Sequence, residues 1–376
     1  MGQDSQSANS TTSPLSSTPF FWYTWGEQYP RGRGETVESF LYDFPKHISE
    51  GYRRGKASAT KPLARPPKGI LFCGIGGSGI SGRILAHVLR PSLSLPFHTI
   101  SSPPLPSWVD ENTLCIASTY SGNTEETLAL TREARERKAL LLLLSQGGTL
   151  EREKHEEDVF VLLPGGLQPR FALGYMVGGL LGAFEGLFPG LSFARDLEEA
   201  GKYLEEIIPT YASPAGSPYR IARDIAGTIP VFVGIEHSTD FAAWRFKTQC
   251  NENAKHVAFA SILPEAMHNE IVGFAHPKTL PLSFVFLHDP EEPRFCTTMA
   301  RAYLRHVAKR GCKTAEVWAQ GTKPVCRALS LVAFGDWLSM HLARIHAEDP
   351  GRIPAITHFK QFFRKLECTF EGGEKI

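Results

Sequence analysis

The sequence predicts an α/β protein built from two doubly wound αβα domains, each with a parallel sheet. Short, continuous apolar runs alternate with helical stretches along most of the chain, a pattern typical of parallel strands that are covered on both faces. A strand, a glycine-containing turn and a helix at residues 69–89 are similar to a unit at 229–251. The length of 376 residues is also sufficient for two domains.

The first half of the chain begins with a predicted helix and continues into the first sheet. Helical apolar spacing runs from Val37 to Tyr52, with Pro45 placed to start a new turn, and residues 56–68 are predicted to connect this helix to the sheet. Continuous apolar runs predict strands at 70–74, 97–100, 114–117, 139–144 and 159–163. Helices are predicted in the stretch that ends at residue 89, at 125–137 and at 171–193.

The second half of the chain predicts a second domain of similar topology. Strands are expected at 230–234, 282–287 and 314–318, and helices at 239–251, 293–310 and 325–346, followed by a C-terminal helical segment. We assign residues 36–205 to the first domain and 206–376 to the second, with the joint between 191 and 217. Residues 1–35 form an extension that is predicted to be disordered or to dock as a strap.

Composition excludes several classes of function. The chain has 40 Lys and Arg residues against 39 Asp and Glu, a net charge of +1, so neither nucleic acid nor a membrane surface is predicted as a partner. The apolar stretch at 171–193 contains Glu185 and Pro189, which favours a buried helix over a membrane span. The seven scattered cysteines form no CxxC pair, and no secretion signal is present, so we expect a soluble, reduced, cytoplasmic protein.

A glycine turn carries the first functional signal. The run Gly74-Ile-Gly-Gly-Ser-Gly79 follows a predicted strand and matches the GxGxxG pattern. A dinucleotide site would also need an acidic residue at the end of the next strand, and residues 96–102 contain none. No Lys-Ser/Thr pair follows the glycines, which excludes a P-loop. The run is therefore either a turn whose N–H groups approach an anion or sugar, or simply a tight strand-to-helix turn.

A second loop, Ser118-Thr-Tyr-Ser-Gly-Asn-Thr124, joins a predicted strand to a predicted helix. Hydroxyls on Thr119, Ser121 and Thr124 should cluster beside the first free N–H groups of that helix. N–H donors, the helix dipole and hydroxyls together suit a phosphate group without a cation. The alternative is that one hydroxyl only caps the helix, which is worth about 1 kcal/mol. Because three hydroxyls and a glycine exceed what a cap requires, we predict a phosphate-binding hydroxyl cradle at residues 118–124.

The glycine turn and the hydroxyl cradle resemble the loops of the sugar isomerase (SIS) domain, a flavodoxin-like module that binds phosphosugars. Further motifs narrow the resemblance to the bifunctional phosphoglucose/phosphomannose isomerase family and extend it over roughly residues 40–368. These motifs are Gln168-Pro-Arg-Phe-Ala-Leu-Gly-Tyr175, Asn251-Glu-Asn-Ala-Lys255, His268-Asn-Glu-Ile-Val-Gly273, and Asp349-Pro-Gly-Arg-Ile-Pro-Ala-Ile, which leads to Phe359-Lys360.

The resemblance implies a role for each matching position. Glu252 would move a proton between C1 and C2 of the open-chain sugar, and Arg170 would stabilise the developing enediolate charge. His268 would assist ring opening with Lys360 as its partner, and it would reach the site of the neighbouring subunit in a homodimer. The residues implied in substrate and phosphate binding are Gly77, Ser78, Thr119, Ser121, Thr124 and Arg170.

The function implied by the resemblance is metal-independent aldose–ketose isomerisation. Glucose 6-phosphate, and also mannose 6-phosphate, would be interconverted with fructose 6-phosphate through a cis-enediolate. No cofactor and no metal are expected, because the sequence has neither HExxH nor a Cys/His cluster at ligand spacing. Two alternatives stay open: a phosphosugar-binding SIS regulator, and an SIS isomerase for another sugar phosphate. A regulator would need the cradle but not Glu252, Arg170 and His268 together.

Overall fold

The computed structural model describes residues 36–274, 280–356, 358, 359 and 362. The predicted extension at 1–35 lies outside these residues. The strands are β1 (Gly69–Cys73), β2 (Phe97–Ile100), β3 (Thr113–Ser118), β4 (Leu140–Ser145), β5 (Val159–Leu162), β6 (Ile229–Ile235), β7 (Phe259–Leu263), β8 (Leu282–His288) and β9 (Lys313–Trp318). The helices are α1 (Val37–Tyr42), α2 (Phe44–Ser58), α3 (Gly76–Leu89), α4 (Glu125–Glu136), α5 (Gly148–Arg152), α6 (Leu173–Leu187), α7 (Ala194–Ala212), α8 (Ser217–Ile225), α9 (Asp240–Ala254), α10 (Glu270–Phe274), α11 (Arg294–Ala308) and α12 (Pro324–Ile345), with a 3₁₀ helix at Glu265–Met267.

The first sheet has the strand order β2-β1-β3-β4-β5, and every neighbouring pair is parallel. Its inner strands β1, β3 and β4 are buried along their whole length, which is why they read as continuous apolar runs in the sequence. In a doubly wound sheet, ligands bind beyond the carboxyl ends of the strands where the order reverses, here between β1 and β3. The glycine turn and the hydroxyl cradle follow these two strands.

The second sheet has the order β7-β6-β8-β9, and all its neighbouring strands are parallel. This order matches that of the first four strands of the first sheet. The prediction of two αβα domains with parallel sheets is confirmed. The sequence does not predict β7, because this edge strand places small residues at two of its five positions and exposes Phe259 at its start. Helices α7 and α8 were not predicted either.

Helix α7 occupies most of the segment 191–217, in which the sequence places the joint between the domains. It packs against α2 and α12. Its buried residues belong to a hydrophobic core that extends to both sheets. The domain boundary itself stays a prediction.

The glycine-rich helix α6 is buried, as the sequence predicts. It lies so close to α2 that a Cβ on Gly178 would come within 2.1 Å of the Ile48 carbonyl oxygen, and one on Gly182 within 2.1 Å of the Tyr52 carbonyl oxygen. Only glycine allows the two backbones to approach this closely. Within the described part of the chain, no helix combines the length and the apolar character needed to cross a membrane.

Helix α9 carries the Asn-Glu-Asn motif away from the carboxyl edge of the second sheet. The helix begins just after β6, and its 15 residues span about 22 Å. Its far end lies beside the start of β6, since His256 Nε2 is 2.7 Å from the Thr228 carbonyl oxygen. The end of α9 therefore lies near the amino ends of the strands in this sheet, and residues after β7 lie near the carboxyl ends.

Candidate active site

The hydroxyl cradle has the clustered geometry that its sequence predicts. The Thr119 hydroxyl oxygen is 2.8 Å from that of Thr124 and 3.4 Å from that of Ser121. Gly122 makes the turn with a φ of 69°, in the left-handed region that favours glycine. Thr124 is the N-cap residue of α4, yet no side chain caps that helix. The hydroxyls therefore do not act as the helix cap, and their position beside an uncapped helix N-terminus is typical of anion sites.

The glycine turn after β1 packs against the cradle. Helix α3 begins inside the predicted loop 74–79, so Gly77 and Ser78 belong to its first turn. The buried Ser78 hydroxyl accepts a hydrogen bond from the Tyr120 N–H at 3.2 Å. A Cβ on Gly77 would lie 3.0 Å from the Pro169 carbonyl oxygen. The turn therefore joins the cradle to the segment that leads into α6.

Arg170 and Glu252 lie together at the centre of the site. Arg170 Nη1 is 3.4 Å from Glu252 Oε2, and the two side chains are 3% and 27% exposed. Arg170 Nε donates to Asn253 Oδ1 at 2.8 Å, and its Nη2 donates to the Pro350 carbonyl oxygen at 2.5 Å. The result is a solvent-accessible carboxylate beside a fixed, buried cation. Such a pair can transfer a proton and stabilise a neighbouring oxyanion.

A buried polar network holds Arg170 in place. Arg245 on α9 donates to the Arg170 carbonyl oxygen at 2.7 Å and makes two hydrogen bonds of 2.9 Å to Asp336 on α12. Asn253 donates to the Ser339 hydroxyl at 2.9 Å. Burial raises the pKa of Asp336, and the charge of Arg245 opposes this rise.

Sequence reasoning did not assign roles to Arg245, Asn253 and Asp336. One signal was available, because Asp336 and Arg327 are the only Asp, Glu, Lys or Arg residues in the apolar stretch 325–343. A charge in a buried helix is usually paired, so a partner elsewhere in the chain could have been expected. Its identity as Arg245 could not be read from the sequence.

A cavity of about 530 Å³ opens beside Glu252. The end of α9 and the segment after α12 line it, through Asn251, Glu252, Lys255, Ala347, Glu348, Asp349, Arg352, Ile353, Pro354, Ala355 and Ile356. Its volume is typical of small-molecule sites. In the described ranges, no group of three His, Cys, Asp or Glu side chains is placed to hold a metal ion.

His268 lies away from this centre. It follows the 3₁₀ helix after β7 and is exposed at the carboxyl edge of the second sheet. Glu252 lies at the opposite edge, at the far end of the 15-residue helix α9. A single subunit therefore does not bring His268 and Glu252 together. Lys360, the fourth residue with an implied catalytic role, lies outside the described residues.

Two doubly wound domains with a hydroxyl-lined loop at the β1/β3 switch point define a protein of the SIS class. The sequence profile of the bacterial phospho-glucose isomerase C-terminal SIS domain matches residues 216–363. The chain is 32% identical to a bifunctional phosphoglucose/phosphomannose isomerase of Caldicellulosiruptor bescii, over 87% of this chain and 98% of that protein. The chain belongs to the bifunctional phosphoglucose/phosphomannose isomerase family.

A second isomerase, an epimerase and a solved structure are also similar to this chain. A bifunctional phosphoglucose/phosphomannose isomerase of Aquifex aeolicus is 34% identical over 80% of this chain and 92% of that protein. A D-glucosamine-6-phosphate 4-epimerase of Sulfolobus acidocaldarius is 34% identical over 60% of this chain and 72% of that protein. The crystal structure of a hypothetical protein from Thermus thermophilus superposes with a TM-score of 0.65 at 18% identity, over 89% of this chain and 91% of that one, which supports the fold alone.

Proposed function

We propose that this protein interconverts glucose 6-phosphate, and also mannose 6-phosphate, with fructose 6-phosphate without a metal ion. The observation that carries the proposal is the 3.4 Å contact between Arg170 Nη1 and Glu252 Oε2. The hydroxyl cradle would bind the phosphate, and the cavity beside Glu252 would take the open-chain sugar. The names of the relatives from Caldicellulosiruptor bescii and Aquifex aeolicus support these substrates.

In the proposed reaction, Glu252 is the base. Its carboxylate removes the proton from C2 of the aldose, and the electron pair of the C–H bond forms the C1–C2 double bond of a cis-enediolate. The same carboxylate returns the proton to C1, while a proton passes from O2 to O1, so the step needs no redox partner. Arg170 would offset the negative charge of the intermediate. Because its guanidinium is already held by Asn253 and Pro350, it would act as a fixed cation.

Ring opening would require a second subunit. His268 is exposed and lies at the edge of the second sheet opposite Glu252, so we place it in the neighbour's active site, in a homodimer located in the cytoplasm. Lys360 would assist it. Mixing inactive His268→Ala and Glu252→Gln dimers under exchange conditions should restore activity, because each hybrid contains one site with both native residues. Failure of exchanged subunits to regain activity would contradict the shared site.

The test of the function is a coupled assay with purified protein and each sugar phosphate, with and without EDTA. We expect turnover of glucose, mannose and fructose 6-phosphates that survives EDTA. Binding without turnover would favour a phosphosugar-sensing regulator. Turnover of another sugar phosphate alone would indicate a different isomerase. Glucosamine 6-phosphate belongs in the series, because a protein with 34% identity to this chain is named as a 4-epimerase of that compound.

Ser121→Ala and Thr124→Ala should mainly raise KM. Each substitution removes a hydroxyl from the cradle, and the phosphate group does not react, so ground-state and transition-state binding weaken together. Loss of a hydrogen bond to a charged group costs about 1.5–3 kcal/mol, or roughly a 10- to 150-fold rise in KM. Steady-state kinetics with fructose 6-phosphate measures the effect. Thr298→Ala is the control, since this exposed hydroxyl donates to the Arg294 carbonyl oxygen within α11 in the second domain. An unchanged KM in both cradle variants would mean that phosphate binds elsewhere.

A further inference from the structure

Three consecutive backbone carbonyls, those of residues 349–351, are each bound by a different side chain. The donors are, in order, Lys255, Arg170 and Gln168. The second and third hydrogen bonds are 2.5 and 2.8 Å long. These contacts, which we call the carbonyl clamp, join the segment before α6, the end of α9 and the segment after α12. They therefore tie together three parts of the chain, and two of these, the end of α9 and the segment after α12, line the active-site cavity.

Lys255 has a second set of contacts at the end of α9. Its ammonium group also donates to the carbonyl oxygens of Glu252 at 3.0 Å and Asn253 at 3.2 Å. An ammonium has three N–H donors, so its contacts with Glu252, Asn253 and Asp349 match its full capacity. A positive charge at a helix C-terminus is also favoured by the helix dipole. The side chain thus links the last turn of α9, which carries Glu252, to Asp349, and both residues line the cavity.

The backbone of Lys255 is in a conformation that disfavours it. Its φ is 50°, in the left-handed region, at the C-cap position of α9. Glycine is the usual residue at such a helix end, because a Cβ destabilises the left-handed conformation. The lysine therefore occupies a position whose backbone conformation favours glycine. A function for its ammonium group would account for this.

We propose that Lys255 is a positioning residue of the isomerase site, which fastens the segment 349–352 to the end of α9 and so fixes Glu252 relative to the cavity wall. The inference rests on the proposed function, because it assigns Glu252 the role of base. Arg352 follows the clamped carbonyls and lines the same cavity as Glu252, and its backbone N–H donates to the Asp349 carbonyl oxygen at 3.3 Å. A displacement of about 1 Å in a reacting group can lower a rate by about 100-fold.

The clamp should respond to pH. Burial lowers the pKa of Lys255 to about 8, and the positive charge of Arg170 adds to the effect, while Glu252, Glu348 and Asp349 oppose it. Above that pH the group becomes a neutral amine with two N–H donors for three carbonyls. The clamped form is the protonated form, so kcat should fall as pH rises through about 8.

The experiment compares Lys255→Gly, Lys255→Met and Lys255→Arg. We expect kcat to fall about 10- to 100-fold in the first two, with KM changed less than threefold. Lys255→Gly should keep its melting temperature, since the relieved backbone strain offsets the lost contacts. Lys255→Arg should recover most of kcat and move the alkaline fall in kcat to higher pH. Lys138→Gly is the matched control, because Lys138 also has a left-handed φ, 58°, and lies outside the site.

Hydrogen exchange gives a readout that does not depend on turnover. Amides in residues 349–356 should exchange faster in Lys255→Gly and Lys255→Met than in the wild type or in Lys138→Gly. If exchange is faster in these variants but the wild-type protein isomerises none of the sugar phosphates, the structural role of Lys255 in the carbonyl clamp is supported and the proposed function is overturned. Native kcat and native exchange in Lys255→Met, with an active wild type, would overturn the role of Lys255.

Discussion

Glu252→Gln is expected to lower kcat for fructose 6-phosphate by about 10²- to 10⁴-fold. Glutamine keeps the length of the side chain and can still accept a hydrogen bond from Arg170, but it cannot take up the proton. Affinity should change little, because the phosphate would be bound at the hydroxyl cradle. Steady-state kinetics measures the first effect. Calorimetric titration with glucitol 6-phosphate, which has no carbonyl group to isomerise, measures the second.

Glu348→Gln is the control for this variant. Glu348 lines the same cavity, so its substitution removes a charge from the same surroundings. We expect a change in kcat of less than threefold, because no step of the proposed reaction uses Glu348. Near-native kcat in Glu252→Gln would show that Glu252 is not the base. Lost affinity for glucitol 6-phosphate would instead show that Glu252 mainly binds the sugar.

Strands that are buried on both faces could be predicted well, because their sequences are continuously apolar. Strands such as β4, Leu140–Ser145, are buried at every position and appear as unbroken apolar runs. The edge strand β7 has a mixed pattern because only some of its residues are buried, so it could not be distinguished from a loop. Helix α7 lies where a joint is predicted, and its amphipathic spacing was not recognised there.

The site was predictable in its local parts and not in its long-range contacts. The three cradle hydroxyls lie within six residues of one another, so their clustering follows from one turn of the chain. The contact between Arg170 and Glu252 joins residues 82 positions apart and depends on how the two domains pack. The family resemblance names both residues but not the side chains that hold them. Arg245 and Asp336 are in that supporting set, and their contribution can be measured.

Asp336→Asn is expected to lower the free energy of unfolding by about 3–5 kcal/mol. Arg245 is 1% exposed and would remain charged in the core without its carboxylate partner. Arg245 also donates to the Arg170 carbonyl oxygen at 2.7 Å, so kcat should fall as well. Urea unfolding at a fixed protein concentration measures the stability. Activity should be measured well below the melting temperature of the variant.

Substitutions of Arg245 and Asp336 can distinguish the destabilisation caused by an unpaired buried charge from the contribution of the intact pair to stability. In the double variant Arg245→Met, Asp336→Leu, no buried charge is left unpaired, so the loss of stability should be smaller than in Asp336→Asn alone. The bidentate pair between Arg132 and Glu153, whose side chains are 53% and 39% exposed, provides the control. Glu153→Gln should cost less than about 1 kcal/mol, because water solvates the remaining charge. If Asp336→Asn and Glu153→Gln lowered the free energy of unfolding equally, burial of Arg245 would not determine the loss of stability. The network of Arg245 and Asp336 could then not be what holds Arg170.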